Sequence, residues 1–393
     1  MKKTIRDYDL SGKKVIIRVD LNVPIKNSII SDDTRIRASI KTIKYAMDNE
    51  AKVILLSHLG KVKEESDKVK NDLYPVSIRL SELLGKEVLF SKDTRGSELE
   101  NMVNSLNDGD VLLVQNTRYE DLVAKKESSC DLELASYWSS LGEIFINDAY
   151  GTSHREHASN VGICKYLPSG IGFLVEEEVT KLDAIMNDTD RPFVVIMGGA
   201  KVSDKIKVIE NLILKCDNLI IGGGMAYTFL KAMGNNVGNS LVDNDSLDFC
   251  KKMLDLYGEK IVLPVDHVVS SSMESDVTSM KLISDTNSDE MGLDIGDKTI
   301  DKFVSVLKDA KRVIINGPMG CFENRLYQNG TKAIYDFITD NNIRVLVGGG
   351  DSAASVNKLS DSSKFYHIST GGGATLEYLE GKVLPGIGVI DEK

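Results

Sequence analysis

The sequence predicts an α/β protein: mostly parallel sheets with helices on both faces, arranged in two domains. Three observations carry the prediction. Short apolar runs rich in β-branched residues alternate with helical segments along the chain, as in βα repeats. Those runs are continuously apolar, the signature of parallel strands buried on both faces. The chain is also 393 residues long, more than one ordinary hydrophobic core accommodates.

In the first half, residues 15–19 read as a strand that runs into the polar loop Asp20-Leu21-Asn22-Val23-Pro24. Asp32 or Asp33 then caps a helix with Ile36, Ile40 and Ile43 on one face, and Arg35 lies in its first turn. A cation there is unfavourable beside the positive helix end unless an anion is near. A strand over 53–56 leads to Ser57-His58-Leu59-Gly60. Residues 61–72, rich in lysine and acids, form an exposed loop. A helix over 76–84, a strand over 88–90 and a strand over 110–114 follow, the last ending in Gln115-Asn116-Thr117-Arg118. A helix over 132–138 and a strand over 144–146 lead to a loop carrying His154, Arg155 and His157.

The alternation breaks at 168–174, read as a loop, before a helix over 176–187. Gly170-Ile171-Gly172 is not a dinucleotide fingerprint, because Val175 stands at the third glycine position and no strand is expected before it. Five strands then each end at glycines: 193–197 at Gly198-Gly199, 219–221 at Gly222-Gly223-Gly224, 312–315 at Asn316-Gly317-Pro318-Met319-Gly320, 344–347 at Gly348-Gly349-Gly350, and 365–368 before Gly371-Gly372-Gly373. Ser203 is the expected cap of the helix after the first of these. Residues 265–297 read as loops and edge structure.

Ligands of open α/β sheets bind beyond the carboxyl ends of the strands. In the first half that rim collects Asp20, Asn22, His58, Arg118, His154 and Arg155, with Arg35 beside them: a hydrogen-bonding basin for a small polyanion. In the second half the rim is stripped of side chains, so backbone N–H groups face the ligand. A nucleotide with its phosphates fits that surface. Lys201 and Lys205 sit at a helix start where two cations need an anion. Asp351 is the best placed carboxylate for Mg²⁺, and Glu323 could accept a ribose hydroxyl.

The net charge of −11 argues against nucleic acid or a membrane surface as general partner, and no apolar run reaches membrane-spanning length. The five cysteines are scattered without CxxC, and the N-terminus lacks a secretory apolar region. Both give the expectation of a reducing, cytoplasmic setting. GxxxxGK[ST] is absent, as are HRD and DFG, which excludes Walker-type NTPases and protein kinases. A nicotinamide dehydrogenase is disfavoured by the missing GxGxxG. A non-catalytic nucleotide binder is disfavoured by retention of both rims.

Eleven ordered motifs, among them VDLNVP at 19–24, DTRIRA at 33–38, SHLG at 57–60, NTRY at 116–119, DAYGTSHREHAS at 148–159, GGAKVSDKI at 198–206, NGPMGCFE at 316–323, GGGDS at 348–352 and STGGGAT at 369–375, resemble phosphoglycerate kinases over nearly the whole chain. The resemblance implies two Rossmann-like domains: 1–170 plus 381–393 for 3-phosphoglycerate or 1,3-bisphosphoglycerate, and 189–380 for Mg-ADP or Mg-ATP, joined by a hinge helix within 171–188. It implies that Asp20, Asn22, Arg35, His58, Arg118 and Arg155 hold the phosphoglycerate. Lys201, Lys205, Gly292, Glu323, Gly349, Gly350, Asp351, Ser352, Gly371, Gly372 and Gly373 would hold the nucleotide. Arg35, Lys201 and Lys205 would be catalytic, acting after hinge closure, and the protein would be a monomer. Departures are Lys61-Val62 for the usual Arg-Pro, Gln115 for Glu, Cys321 for Val, Thr375 for Ser, and Asn239 where lysine is common.

Overall fold

The computed structural model describes residues 1–393 and divides into two compact units. The first comprises residues 1–180 and 383–393, the second residues 181–382.

The first unit is built on a six-stranded sheet: β1 (Lys14–Val19), β2 (Lys52–Leu56), β3 (Val88–Phe90), β4 (Val111–Leu113), β5 (Ile144–Asp148) and β6 (Ser169–Ile171). Their order across the sheet is β3-β4-β2-β1-β5-β6, with every pair parallel. Helices such as Thr34–Asp48 and Tyr74–Leu84 bury one apolar stripe each against it, Ile36, Ile43 and Ala46 from the first and Val76, Leu80 and Leu84 from the second. The strand β6 corrects the reading of 168–174 as loop. Ser-Gly-Ile carries little strand preference of its own. The segment is extended because it pairs with β5, bridges to Thr4, and packs Gly170 where a β-carbon would lie 3.0 Å from the Tyr8 ring.

The second unit contains β7 (Phe193–Met197), β8 (Asn218–Ile221), β9 (Ile261–Val262), β10 (Asp266–Ser270), β11 (Ser279–Leu282), β12 (Met291–Ile295), β13 (Arg312–Asn316), β14 (Arg344–Val347) and β15 (His367–Ile368). Six of them form a parallel sheet in the order β9-β8-β7-β13-β14-β15. The other three make an antiparallel sheet, β11-β10-β12. That sheet corrects the reading of 265–297 as loops and edge structure. β11 is largely exposed, so no apolar alternation marks it in the sequence.

Helix Phe173–Met186 spans the residue at which the chain passes from one unit to the other. No helix is long and apolar enough to cross a membrane.

Candidate active site

In the first sheet the chain winds from β1 to one side and later returns to the other, so the rim beside β1 is a topological switch point, where α/β sheets bind ligands. Asp20 follows β1 directly. Its carboxylate accepts Nη1 of Arg35 at 3.2 and 3.3 Å, and the same nitrogen donates to the Asn22 carbonyl at 3.2 Å. Arg35 keeps 41% of its side chain exposed at this rim. Of the two acids considered as helix cap, Asp33 occupies the cap position, but Asp32 makes the bonds. Asp32 Oδ1 accepts the Thr34 N–H at 2.9 Å and hydroxyl at 2.6 Å, while Asp33 pairs with Arg37 and Arg79. Asn22 Oδ1 accepts the Gly60 N–H at 2.9 Å, joining the loops after β1 and β2.

His58 lies in the second of these loops and is almost wholly buried. Arg18 donates to its Nδ1 at 3.2 Å. A guanidinium cannot accept, so Nδ1 is the bare nitrogen and Nε2 carries the hydrogen. Burial, then the charge of Arg18, holds the imidazole far below its ordinary pKa, so it is neutral. His58 is thereby fixed as a neutral Nε2–H donor.

Arg18 was missed in the sequence reading. It is completely buried and also donates to Ser159 Oγ at 2.8 Å and to the Val19 carbonyl at 2.5 Å. Ser159 in turn donates to the buried Glu127 at 2.5 Å. The signal was available: one arginine inside an otherwise apolar strand needs a buried partner. Asn116 is the other omission. Its Oδ1 accepts the N–H groups of Leu59 and Arg118 at 3.1 and 3.0 Å, and its Nδ2 donates to the carbonyls of Leu59 and Asn71 at 2.7 and 2.9 Å. It locks the loop carrying His58 to the loop carrying Arg118.

Arg118 is paired with Asp121 at 2.9 Å, touches Ser128 Oγ, and reaches His157 Nε2 at 3.4 Å. Burial and the charge of Arg118 pull His157 down to about 2, so it too is neutral. Arg118 and Lys61 line one open concavity of about 770 Å³ with Lys63 and Lys125. Arg155 is exposed, with Nε donating to His154 Nε2 at 3.1 Å. Gln115 suits its surroundings: its amide donates to Asp72 at 2.8 Å, which a glutamate could not do.

In the second sheet the switch point lies between β7 and β13. The loops there touch backbone to backbone. A β-carbon on Gly317, at φ +106°, would sit 2.3 Å from the Gly198 carbonyl group, and one on Gly223 would sit 2.6 Å from the Gly199 nitrogen. Only glycine permits this approach. Lys205 is half-buried, and its Nζ donates to the carbonyls of Gly198 and Asn316, each at 2.7 Å. Burial lowers its pKa from 10.5 to about 8, opposed in part by the charges of Asp351 and Asp204. Lys201 is exposed. Ser203 is not the helix cap expected of it. A 3-10 turn, Ser203–Lys205, precedes helix Ile206–Ile213, and the Ser203 N–H is held by Asp243 at 2.8 Å.

A cavity of about 370 Å³ opens beside these loops. Gly199, Gly223, Gly224, Gly292, Glu323 and Asp351 line it, together with apolar side chains including Leu241, Met273, Leu293 and Met319. Asp351 is exposed in the first turn of helix Gly350–Leu359, which Gly349 leads into at φ +95°. Ser352 is buried, and its Oγ accepts the Gly317 N–H at 2.6 Å, tying this helix start to the switch point. Gly371 and Gly372 precede helix Gly373–Leu379, whose Thr375 hydroxyl bonds Ser369. The structure thus gathers the predicted anion-binding residues at one sheet rim in each unit.

The phosphoglycerate kinase family model matches residues 5–382. Phosphoglycerate kinases of Enterococcus faecalis and Listeria monocytogenes are 53% and 52% identical, over the full length of both chains. The phosphoglycerate kinase structure from Coxiella burnetii superposes with a TM-score of 0.90 at 36% identity, covering 99% of this chain and 98% of that one. The structure from Pyrococcus horikoshii gives 0.85 at 30%, with the same coverage. With the ordered motifs now folded onto two ligand rims, the chain belongs to the phosphoglycerate kinase family and catalyses its glycolytic reaction, the reversible phosphoryl transfer between 1,3-bisphosphoglycerate and ADP.

Proposed function

We propose that the rim at β1 binds 3-phosphoglycerate or 1,3-bisphosphoglycerate and the rim at β7 binds ADP or ATP, with residues 171–188 as the hinge between domains 1–170 plus 381–393 and 189–380. Asp20, Asn22 and the Nε2–H of His58 orient the glycerate hydroxyl and carboxyl groups. Arg118 and Arg155, with Lys61 as a point charge, take its phosphate. Gly292 and the apolar cavity receive the base, and Glu323 receives the ribose. Lys201, Gly349, Gly350, Ser352 and the 371–373 turn receive the phosphates.

Magnesium fits the donor set. No group of three or more His, Cys, Asp or Glu side chains could hold an ion alone, so Asp351 would hold Mg²⁺ together with nucleotide phosphates and water. When bound, the ion supplies further neutralisation of phosphate charge. The phosphoryl group passes directly between oxygens with no phosphoenzyme, and the protein contributes positioning and charge. Arg35 and Lys205 neutralise the group in transfer, with Lys201 assisting. Hinge closure brings the reactants together and excludes water. We place the protein in the cytoplasm as a monomer.

The observation that carries these roles is Lys205. Two carbonyls aim its ammonium at the switch point of the nucleotide sheet, where it has no carboxylate within ion-pair distance. The deciding test is ATP formation from ADP and 1,3-bisphosphoglycerate with and without Mg²⁺, in the parent protein and in Lys205→Ala and Arg35→Ala. Near-parent kcat in either variant overturns its catalytic role.

A further inference from the structure

The apolar cavity of the second unit has one hydroxyl in its wall, that of Tyr227 on helix Met225–Ala232. Behind it runs a short polar chain. Tyr227 Oη lies 3.1 Å from His267 Nδ1 on β10, and His267 Nε2 lies 3.0 Å from Thr286 Oγ1. The Thr286 hydroxyl bonds the Ile283 carbonyl at 2.7 Å. Tyr227, His267 and Thr286 are all buried, and only Tyr227 lines the cavity.

The direction of each hydrogen in this chain follows from counting protons. Thr286 has one, and a carbonyl can only accept, so that proton goes to Ile283. Toward His267 the threonine oxygen is therefore an acceptor, and Nε2 carries the imidazole hydrogen. Burial pushes the His267 pKa down to about 4, so the ring is neutral and its Nδ1 is bare. Nδ1 then accepts from Tyr227, whose single proton points away from the cavity. What Tyr227 offers a ligand is an oxygen lone pair.

Two neighbours sharpen this. Gly292 on β12 lines the same cavity, and a β-carbon there would lie 1.8 Å from Tyr227 Oη and 2.6 Å from His267 Nδ1. The missing side chain is what brings the phenol oxygen up to the wall. Asp294, the nearby buried carboxylate, is already engaged: Oδ1 accepts the Ile295 N–H at 2.9 Å and Oδ2 the Gly330 N–H at 2.7 Å.

We infer that Tyr227 is a specificity-determining residue, fixed as an acceptor by the positioning residues His267 and Thr286, and that it selects a base bearing a hydrogen-bond donor, the 6-amino group of adenine, over a 6-oxo purine. The inference rests on the reading that this cavity receives the nucleotide base. Adenine on its ribose has no other N–H donor. A 6-oxo purine sets a lone pair against a lone pair, and an unsubstituted purine leaves the phenol oxygen unbonded.

The test is the steady-state KM of ADP, purine riboside 5′-diphosphate and inosine 5′-diphosphate, each with 1,3-bisphosphoglycerate, in the parent protein, Tyr227→Phe and His267→Leu. In the parent protein the KM should rise about tenfold from ADP to purine riboside diphosphate, and further for the inosine compound. Tyr227→Phe should raise the KM of ADP about fivefold and leave that of purine riboside diphosphate unchanged, with kcat and the KM of the phosphoglycerate substrate as in the parent. His267→Leu frees the phenol proton to turn toward the cavity, so the preference should shift toward the inosine nucleotide. A parallel rise of all three KM values in Tyr227→Phe, or unchanged ratios, overturns the inference and leaves the site's nucleotide reading standing. No turnover of any diphosphate by the parent protein overturns that underlying reading instead.

Discussion

Both large sheets are wholly parallel and six strands wide, and in both the chain reverses its winding direction at a central strand, β1 in the first unit and β7 in the second. Their rims are built by opposite means. At β1 the loops are held by charged and amide side chains: Arg18 to His58 and Ser159, Arg118 to Asp121, and Asn116 to four backbone groups. At β7 the loops lie backbone against backbone, with glycine at the closest approaches and Lys205 as the cation held among them. The difference matches the ligands. A compact polyanion is recognised by a few forks and donors in fixed positions. A long nucleotide needs a broad surface of N–H groups with little side-chain bulk.

Five substitutions or conditions break or sharpen this comparison. Removing the cation of each rim, Arg35→Ala or Lys205→Ala, should lower kcat by about 10²–10³-fold, the scale for losing one transition-state donor. Equal losses would show that both rims contribute charge to the transfer. Arg18→Met should then lower stability by about 3 kcal/mol, because Glu127 loses the cation linked to it through Ser159. Urea unfolding followed by the fluorescence of Trp138, the only tryptophan and fully buried in the first unit, measures it. Gly317→Ala tests the other construction. Its β-carbon has no room at φ +106°, and a loss of roughly 2 kcal/mol in thermal unfolding, with weaker ADP binding by calorimetry, is expected.

The fourth is pH. Burial depresses Lys205 to about 8, and the charged ammonium is the form that neutralises phosphate. The kcat/KM for ADP should therefore be retained below pH 8 and fall about tenfold for each unit above it, well before an ordinary lysine would lose its proton. A flat profile up to pH 10 would remove Lys205 from that role. The smallest effect is at Lys61. Lys61→Arg restores a planar fork at the concavity shared with Arg118 and should lower the KM for 3-phosphoglycerate by about threefold.

Much of the rim chemistry was legible because it lies in loops directly after strongly apolar strands. Asp20, His58 and Arg118 follow β1, β2 and β4, and the glycines follow β7, β8, β13 and β14. Arg18 and Asn116 were not read, since each acts by bonding groups far along the chain: Arg18 to Ser159, Asn116 to Leu59 and Asn71. The antiparallel sheet at β10–β12 was missed for a related reason. Its exposed strand has no period to detect, yet it contributes Gly292 and His267 to the cavity and the wall behind it.

The sequence by itself determined the parallel α/β class, the strands, the loop chemistry and the family, because each is encoded in short runs or ordered motifs. The tertiary structure alone decided which hydrogen sits on which nitrogen of His58 and His267, how far Lys205 is desolvated, and which glycines are sterically obligatory. Those properties depend on distances between residues 40 to 140 positions apart, such as Arg18 to His58, Tyr227 to His267 and Arg18 to Ser159, and no local pattern records them.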